Sequence, residues 1–244
     1  LDGMHLTERI RRYVLRRALP QPVGARHAEY SMIFSADDEA SRPSPRLMAL
    51  AQDAIWHAQR ISLAEVSARM EGPPYYPDIW PGESYKLLAG LVAALSPRLV
   101  IEIGTGGGTS ALSMKRCLPP EARLVTFDVI AWRAYPGHLF REDDFRDGRL
   151  IQHTDDLTRP AMFAAHRPLF QEAELFFIDA AKDGVTEEIL LNHLRTVPFR
   201  AKPVLVFDDI RLWKMLKVWR DIPMPKLDLT SFGHWTGTGL VELQ

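Results

Sequence analysis

Two groups of residues in this chain have the types and spacing to do chemistry. The first is Val100-Ile101-Glu102-Ile103-Gly104-Thr105-Gly106-Gly107-Gly108-Thr109-Ser110. An apolar run holding an acid passes into glycines at every second position, and then into small residues that can open a helix. This spacing predicts a strand, a tight turn and a helix N-terminus, where backbone can approach a ligand closely. The pattern is E-x-G-x-G-x-G. It differs from the dinucleotide fingerprint G-x-G-x-x-G, whose third glycine would fall at Thr109. An acid just before the turn suits a ligand with a cationic amino group better than a pyrophosphate. The second group is a series of carboxylates, each near the end of an apolar run: Glu102, Asp128, Asp155-Asp156, Asp179 and Asp208-Asp209. Lys182 follows Asp179 by three residues.

The elements that must position these groups alternate. From residue 82 onward, helices are expected at 83–95, 109–118, 159–170, 185–196 and 211–220. Strands are expected at 99–103, 124–129, 150–153, 175–178 and 204–207. Continuously apolar strands such as Leu175-Phe176-Phe177-Ile178 indicate burial on both faces, as in a parallel sheet covered by helices. The segments 226–232 and 240–243 flank a glycine-rich turn and read as a closing antiparallel hairpin. The expected fold is therefore α/β: a doubly wound, mostly parallel seven-stranded sheet with an antiparallel C-terminal hairpin. In open α/β sheets, ligands bind at the carboxyl ends of the strands. One acid at a strand end can be a helix cap. Five successive strands delivering acids to one edge indicate a site.

Residues 1–80 lack strand signals and read as an N-terminal helical extension, with 81–244 as the main domain. A basic amphipathic helix is expected at 7–19, ended by Pro20 and Pro22. A second helix is expected at 46–70, broken by Gly72-Pro73-Pro74-Tyr75-Tyr76-Pro77. This extension would serve as a cap over the site or as a homodimer surface.

Composition narrows the function classes. The chain has 244 residues, 46% hydrophobic and 25% charged, with a net charge of −1. That is an ordinary globular composition, with no general attraction to nucleic acid or an anionic membrane. A single cysteine, Cys117, excludes an internal disulfide framework and a cysteine-based zinc site. No apolar run reaches the roughly 18 residues of a membrane span. No signal peptide is apparent, so a cytoplasmic location is expected.

Taken together, these residues resemble the class I S-adenosylmethionine-dependent methyltransferases. Within that class, the region from residue 82 onward is most similar to the metal-dependent O-methyltransferases of the catechol O-methyltransferase type. The resemblance is carried by the glycine motif, by Phe177-Ile178-Asp179-Ala180-Ala181-Lys182 and by Val204-Leu205-Val206-Phe207-Asp208-Asp209. It implies S-adenosylmethionine as cofactor. Gly104, Thr105, Gly108, Thr109 and Ser110 would wrap its methionine half, and Glu102 would face its amino group. Asp128 would accept the ribose hydroxyls, and Asp155 would hold the adenine amino group, with Asp156 as the alternative. The resemblance further implies Mg2+ held by Asp179, Asp208 and Asp209, with Lys182 as catalytic base and Asp179 beside it. An Asp-Asp pair, where the catechol enzymes have Asp-Asn, is associated with relatives that methylate sugar hydroxyls on natural products.

The expected activity is methyl transfer to a hydroxyl of a small molecule, a phenol, a catechol or a sugar. Ionising a phenol of pKa about 10 at pH 7 costs about 4 kcal/mol, so the phenol is the easier acceptor. Tyr75, Tyr76, Trp80, His234 and Trp235 are candidate substrate walls. A metal-independent methyltransferase acting on nitrogen or another centre is the alternative. A nicotinamide enzyme is disfavoured by the glycine spacing. A mere binding protein would need neither the acid set nor Lys182.

Overall fold

The computed structural model describes residues 42–71, 76–212 and 214–243. The helix expected at 7–19 and Tyr75 lie outside the described residues. Seven strands form one sheet: β1 (Leu99–Ile103), β2 (Arg123–Phe127), β3 (Leu150–His153), β4 (Leu175–Ile178), β5 (Val204–Asp208), β6 (Lys226–Asp228) and β7 (Thr238–Glu242). Their order is β3-β2-β1-β4-β5-β7-β6. The first five strands pair in parallel, and β7 lies antiparallel between β5 and β6. The seven-stranded doubly wound sheet with its antiparallel hairpin is the expected architecture. Strand order reverses at β1, whose neighbours are β2 and β4, and that is where ligands bind in such sheets.

Strand periodicity divides the core. Val100, Leu175, Phe177, Val204 and Val206 face one side. There they meet α1 (Pro45–Ala58), α2 (Ala64–Ser67), α3 (Tyr85–Leu95) and α4 (Thr109–Lys115). Ile101, Phe176, Ile178, Leu205 and Phe207 face the other side. They pack against α5 (Pro160–Gln171), α6 (Thr186–Leu194) and α7 (Met215–Asp221). Glu102 shares the parity of Val100, so the pleat directs it under α4.

The helix expected at 46–70 is interrupted. α1 starts at Pro45, its N-cap Ser44 accepting a bond from the Leu47 N–H, and it ends at Ala58. The chain turns before α2, and the carboxylate of Asp78 accepts the Leu63 N–H at 2.7 Å. That bond competes with continued helix, a tertiary effect invisible to periodicity. α1 crosses α3 closely at Gly90, where a Cβ would stand 2.3 Å from the Ala54 carbonyl oxygen. The connection between β2 and β3 holds only two short 3-10 turns, Trp132–Ala134 and Glu142–Phe145. It is anchored by a two-pronged ion pair from Arg69 to Asp144, at 2.6 and 2.9 Å.

Candidate active site

The glycine turn leaves β1 at the reversal of strand order. Gly104, Gly106 and Gly108 have φ values of +102°, +47° and +86°, a region that glycine enters without penalty. Space forbids side chains as firmly as backbone geometry does. A Cβ on Gly104 would lie 1.9 Å from the Asp179 carbonyl oxygen, and one on Gly108 would strike the Phe140 ring at 2.5 Å. Gly104, Thr105, Gly106, Gly107, Gly108, Thr109 and Ser110 all line one cavity of about 650 Å3. Thr105 is buried and shares a 2.7 Å bond with Thr126.

Asp128 and Asp155 also line this cavity. Asp128 accepts the Gly106 N–H on one carboxylate oxygen and the Ile130 N–H on the other, each at 3.0 Å. Each oxygen keeps a further lone pair for a ligand. Asp155 pairs with His166 at 2.8 Å. Asp156 is occupied locally, accepting from the backbone N–H and the hydroxyl of Thr158.

Glu102 is not brought to the cavity wall. It is fully buried, and the Ser110 hydroxyl donates to its Oε1 at 2.5 Å. Its Oε2 has no hydrogen-bond partner among the described residues. Burial pushes its pKa up to about 8, opposed by bonds from Ser110 and Thr126. Its position inside the last turn of the pleat, rather than beyond it, places it beneath the glycine loop.

Asp179 and Lys182 line the same cavity, the Asp179 backbone lying directly against Gly104. The Lys182 ammonium lies 2.5 Å from Asp179 Oδ1 and 2.7 Å from Asp209 Oδ2. Lys182 and Asp209 have φ of +58° and +56°, costly for residues with a Cβ and sustained by surrounding contacts. For Lys182 the support is Glu187, a fully buried residue. Its carboxylate accepts the Lys182 N–H at 2.6 Å and the Gly184 N–H at 3.1 Å. Sequence reading missed Glu187, because an acid in a first helical turn looks like ordinary capping.

Asp208 and Asp209 sit behind Lys182, buried and off the cavity wall. Asp208 Oδ1 has no hydrogen-bond partner among the described residues. Burial, then the charges of Asp179 and Asp209, raise the pKa of Asp208 well above the usual carboxylate range. Burial raises that of Asp179 as well, with Lys182 pulling it back in part. Burial would also raise Asp209, but bonds from His234, Lys182 and Thr236 outweigh it and hold this acid ionised. Burial opposes the charge on Lys182, yet Asp179 and Asp209 overcome that and raise its pKa. Tyr85 lines the cavity beside them. Burial and then the nearby Asp179 and Asp208 charges push its phenol up, so it stays a neutral hydroxyl.

Of the three expected metal ligands, Asp208 and Asp209 lie together and His234 joins them, while Asp179 connects to Asp209 through Lys182. His234 Nδ1 is 3.1 Å from Asp209 Oδ1. Asp208, Asp209 and His234 offer ligand atoms all within 4.8 Å of one another. The donor set fits a divalent cation: carboxylates crowded out of water, one of them with an orphaned oxygen.

Neither a protein-family model nor a curated protein matches this chain. Solved structures do. A candidate caffeoyl-CoA O-methyltransferase from Staphylococcus aureus is 13% identical, over 81% of this chain and 100% of that one, with a TM-score of 0.50. The chain has the methyltransferase fold. A methyltransferase from Geobacter sulfurreducens is 16% identical over 83% of this chain and 90% of that one, TM-score 0.49. The SAH-bound methyltransferase PaMTH1 from Podospora anserina is 16% identical over 99% and 97%, TM-score 0.48.

Proposed function

We propose that this protein is a metal-dependent O-methyltransferase. It would move the methyl group of S-adenosylmethionine to a hydroxyl of a small molecule, a phenol, a catechol or a sugar of a natural product. One observation carries this reading. The glycine turn, Asp128, Asp179 and Lys182 all line a single cavity, so a donor held on the turn would share it with the groups that do the chemistry.

In this reading the bare backbone of Gly104 to Gly108 holds the methionine half. Asp128 takes the ribose hydroxyls, and Asp155, fixed by His166, meets the adenine. Asp179, Asp208 and Asp209 hold the cation, with Mg2+ the ion that an all-carboxylate set favours. When bound, a dication supplies Lewis acidity to a coordinated hydroxyl and positive charge that competes with Lys182 for the same carboxylates. Lys182 as seen is a protonated cation bridging two acids. It can accept a proton from the acceptor hydroxyl only after releasing its own to solvent, which relief of that bridge by a nearby dication would favour. Glu187 keeps its backbone aimed at the cavity throughout, and Tyr85 narrows the acceptor end. Alignment of hydroxyl and methyl group lowers the barrier further, by as much as about 7–11 kcal/mol.

The ammonium already standing between Asp179 and Asp209 favours a second reading, in which Lys182 is the resident cation and transfer needs no metal. Labelled methyl donor supplied with catechols, flavonoids and glycosylated metabolites, with and without chelator, separates the two. The metal reading predicts product only with a divalent ion, and an Asp179→Ala protein that binds cofactor but does not turn over. Undiminished turnover by the wild type in excess EDTA would establish the second reading.

A further inference from the structure

We propose that His234 is a ligand of this metal centre, and that it shifts the preferred ion from Mg2+ to a first-row transition-metal dication. The inference rests on the acid cluster being a metal centre, as argued above. Four observations carry it.

The Lys182 ammonium fills the space between Asp179 and Asp209. On the other side the Thr236 hydroxyl bridges Asp209 Oδ1 and His234 Nδ1, so a cation held there by Asp208, Asp209 and His234 would displace that hydroxyl. There His234 Nδ1 stands 3.1 Å from Asp209 Oδ1 and 4.0 Å from Asp208 Oδ1. Asp208 is only 7% exposed, and the Oδ1 it turns toward His234 has no hydrogen-bond partner among the described residues. A buried acceptor left unmatched costs free energy that a cation recovers.

The far side of the ring is arranged as well. Nε2 lies 3.5 Å from Glu83 Oε2. A metal-bound histidine usually donates its other N–H to a carboxylate, which fixes the ring and raises its basicity.

The turn that carries His234 is held largely by bonds that do not use its ring. Gly82 N–H donates to the Gly233 carbonyl at 3.0 Å, and Trp235 N–H to the Gly82 carbonyl at 3.1 Å. The His234 N–H bonds the Thr238 hydroxyl at 2.9 Å. To these the ring adds its own bonds, from Nδ1 to Asp209 and to the Thr236 hydroxyl.

The chemistry of the donors then sets the ion. Carboxylate oxygen suits Mg2+, whereas an imidazole nitrogen suits the later first-row ions, whose affinity for mixed sites rises from Mn2+ toward Cu2+. Magnesium gains little from nitrogen.

The test titrates the purified, metal-stripped full chain with Co2+ and, separately, with Mg2+, by calorimetry and by the visible absorption of bound Co2+. The wild type should bind Co2+ more tightly than Mg2+. His234→Ala should weaken Co2+ at least about tenfold, change its visible spectrum and shrink the Co2+ preference over Mg2+. Glu83→Gln, which leaves the ring in place, should weaken Co2+ by about 10- to 100-fold, and it carries the test should His234→Ala fail to fold. If the wild type binds both ions and neither variant alters the Co2+ affinity or spectrum, His234 is not a ligand, while the metal centre stands. If the wild type binds neither ion, the centre and its fourth ligand fall together.

Discussion

Single residues decide how this site is built. Gly104 has no room for a methyl group against the Asp179 carbonyl. Gly104→Ala should therefore cost about 2–4 kcal/mol in a denaturant midpoint series, and abolish cofactor binding measured by calorimetry. Lys182→Met should lower kcat by about 10²–10⁴, the usual range for a positioned acid or base, with cofactor affinity within about twofold of wild type. Glu102 gives a pH signature. Burial raises its pKa from 4.5 to about 8, so the folded state holds its proton over a range where the unfolded chain has released it. Stability from this group is complete below about pH 4.5 and is lost as pH rises through about 8. Glu102→Gln removes that loss. In cofactor-free protein its Tm relative to wild type should climb between pH 5 and 8; a pH-independent difference would contradict a carboxyl that burial keeps protonated. Much at this scale was legible in the sequence. The acids were singled out because each stands near the end of an apolar run, and Lys182 because it follows Asp179 by three residues. His234 was not assigned to the cluster, because a turn residue 25 positions beyond Asp209 announces nothing about which element its backbone will meet. Glu102 was legible as an acid near a glycine loop, but its direction depends on strand parity.

At the scale of elements, the five parallel strands were readable to within a residue or two, because β-branched and aromatic runs bounded by glycine, proline or acid have few other solutions. The interruption between α1 and α2 was not readable, because the Asp78 carboxylate that takes the Leu63 N–H arrives from another segment. The β2–β3 connection is the element on which the cofactor end depends. Leu139 N–H donates to the Gly107 carbonyl at 2.8 Å, and Phe140 packs against Gly108. Arg69 holds this segment through Asp144 and also donates to the Leu139 carbonyl at 3.2 Å. Hydrogen bonds between charged partners at this depth contribute about 1.5–3 kcal/mol. Arg69→Ala should lose about that much stability by urea titration. It should also weaken S-adenosylhomocysteine binding, although Arg69 is not among the cavity-lining residues. Unchanged cofactor affinity would mean that the loop holds its shape without the tether.

For the molecule as a whole, the sheet does one thing: it gathers side chains from residue 83 to residue 234 around the ends of its central strands. The helices at 45–71 share a core with α3 and α4, so that face of the sheet is covered from the N-terminal side of the chain. Among the described residues no helix is long and apolar enough to cross a membrane. A methyl donor in the cavity must meet a cation held at its wall, where Asp179 joins the buried Asp208 and Asp209. A crystal structure of the chain grown with S-adenosylhomocysteine and a divalent metal tests this most directly. The thioether sulfur should lie between the glycine turn and Lys182, with ribose on Asp128 and an ion on the Asp179, Asp208 and Asp209 cluster. A cavity without the nucleoside, or the nucleoside seated away from those three aspartates, would contradict it.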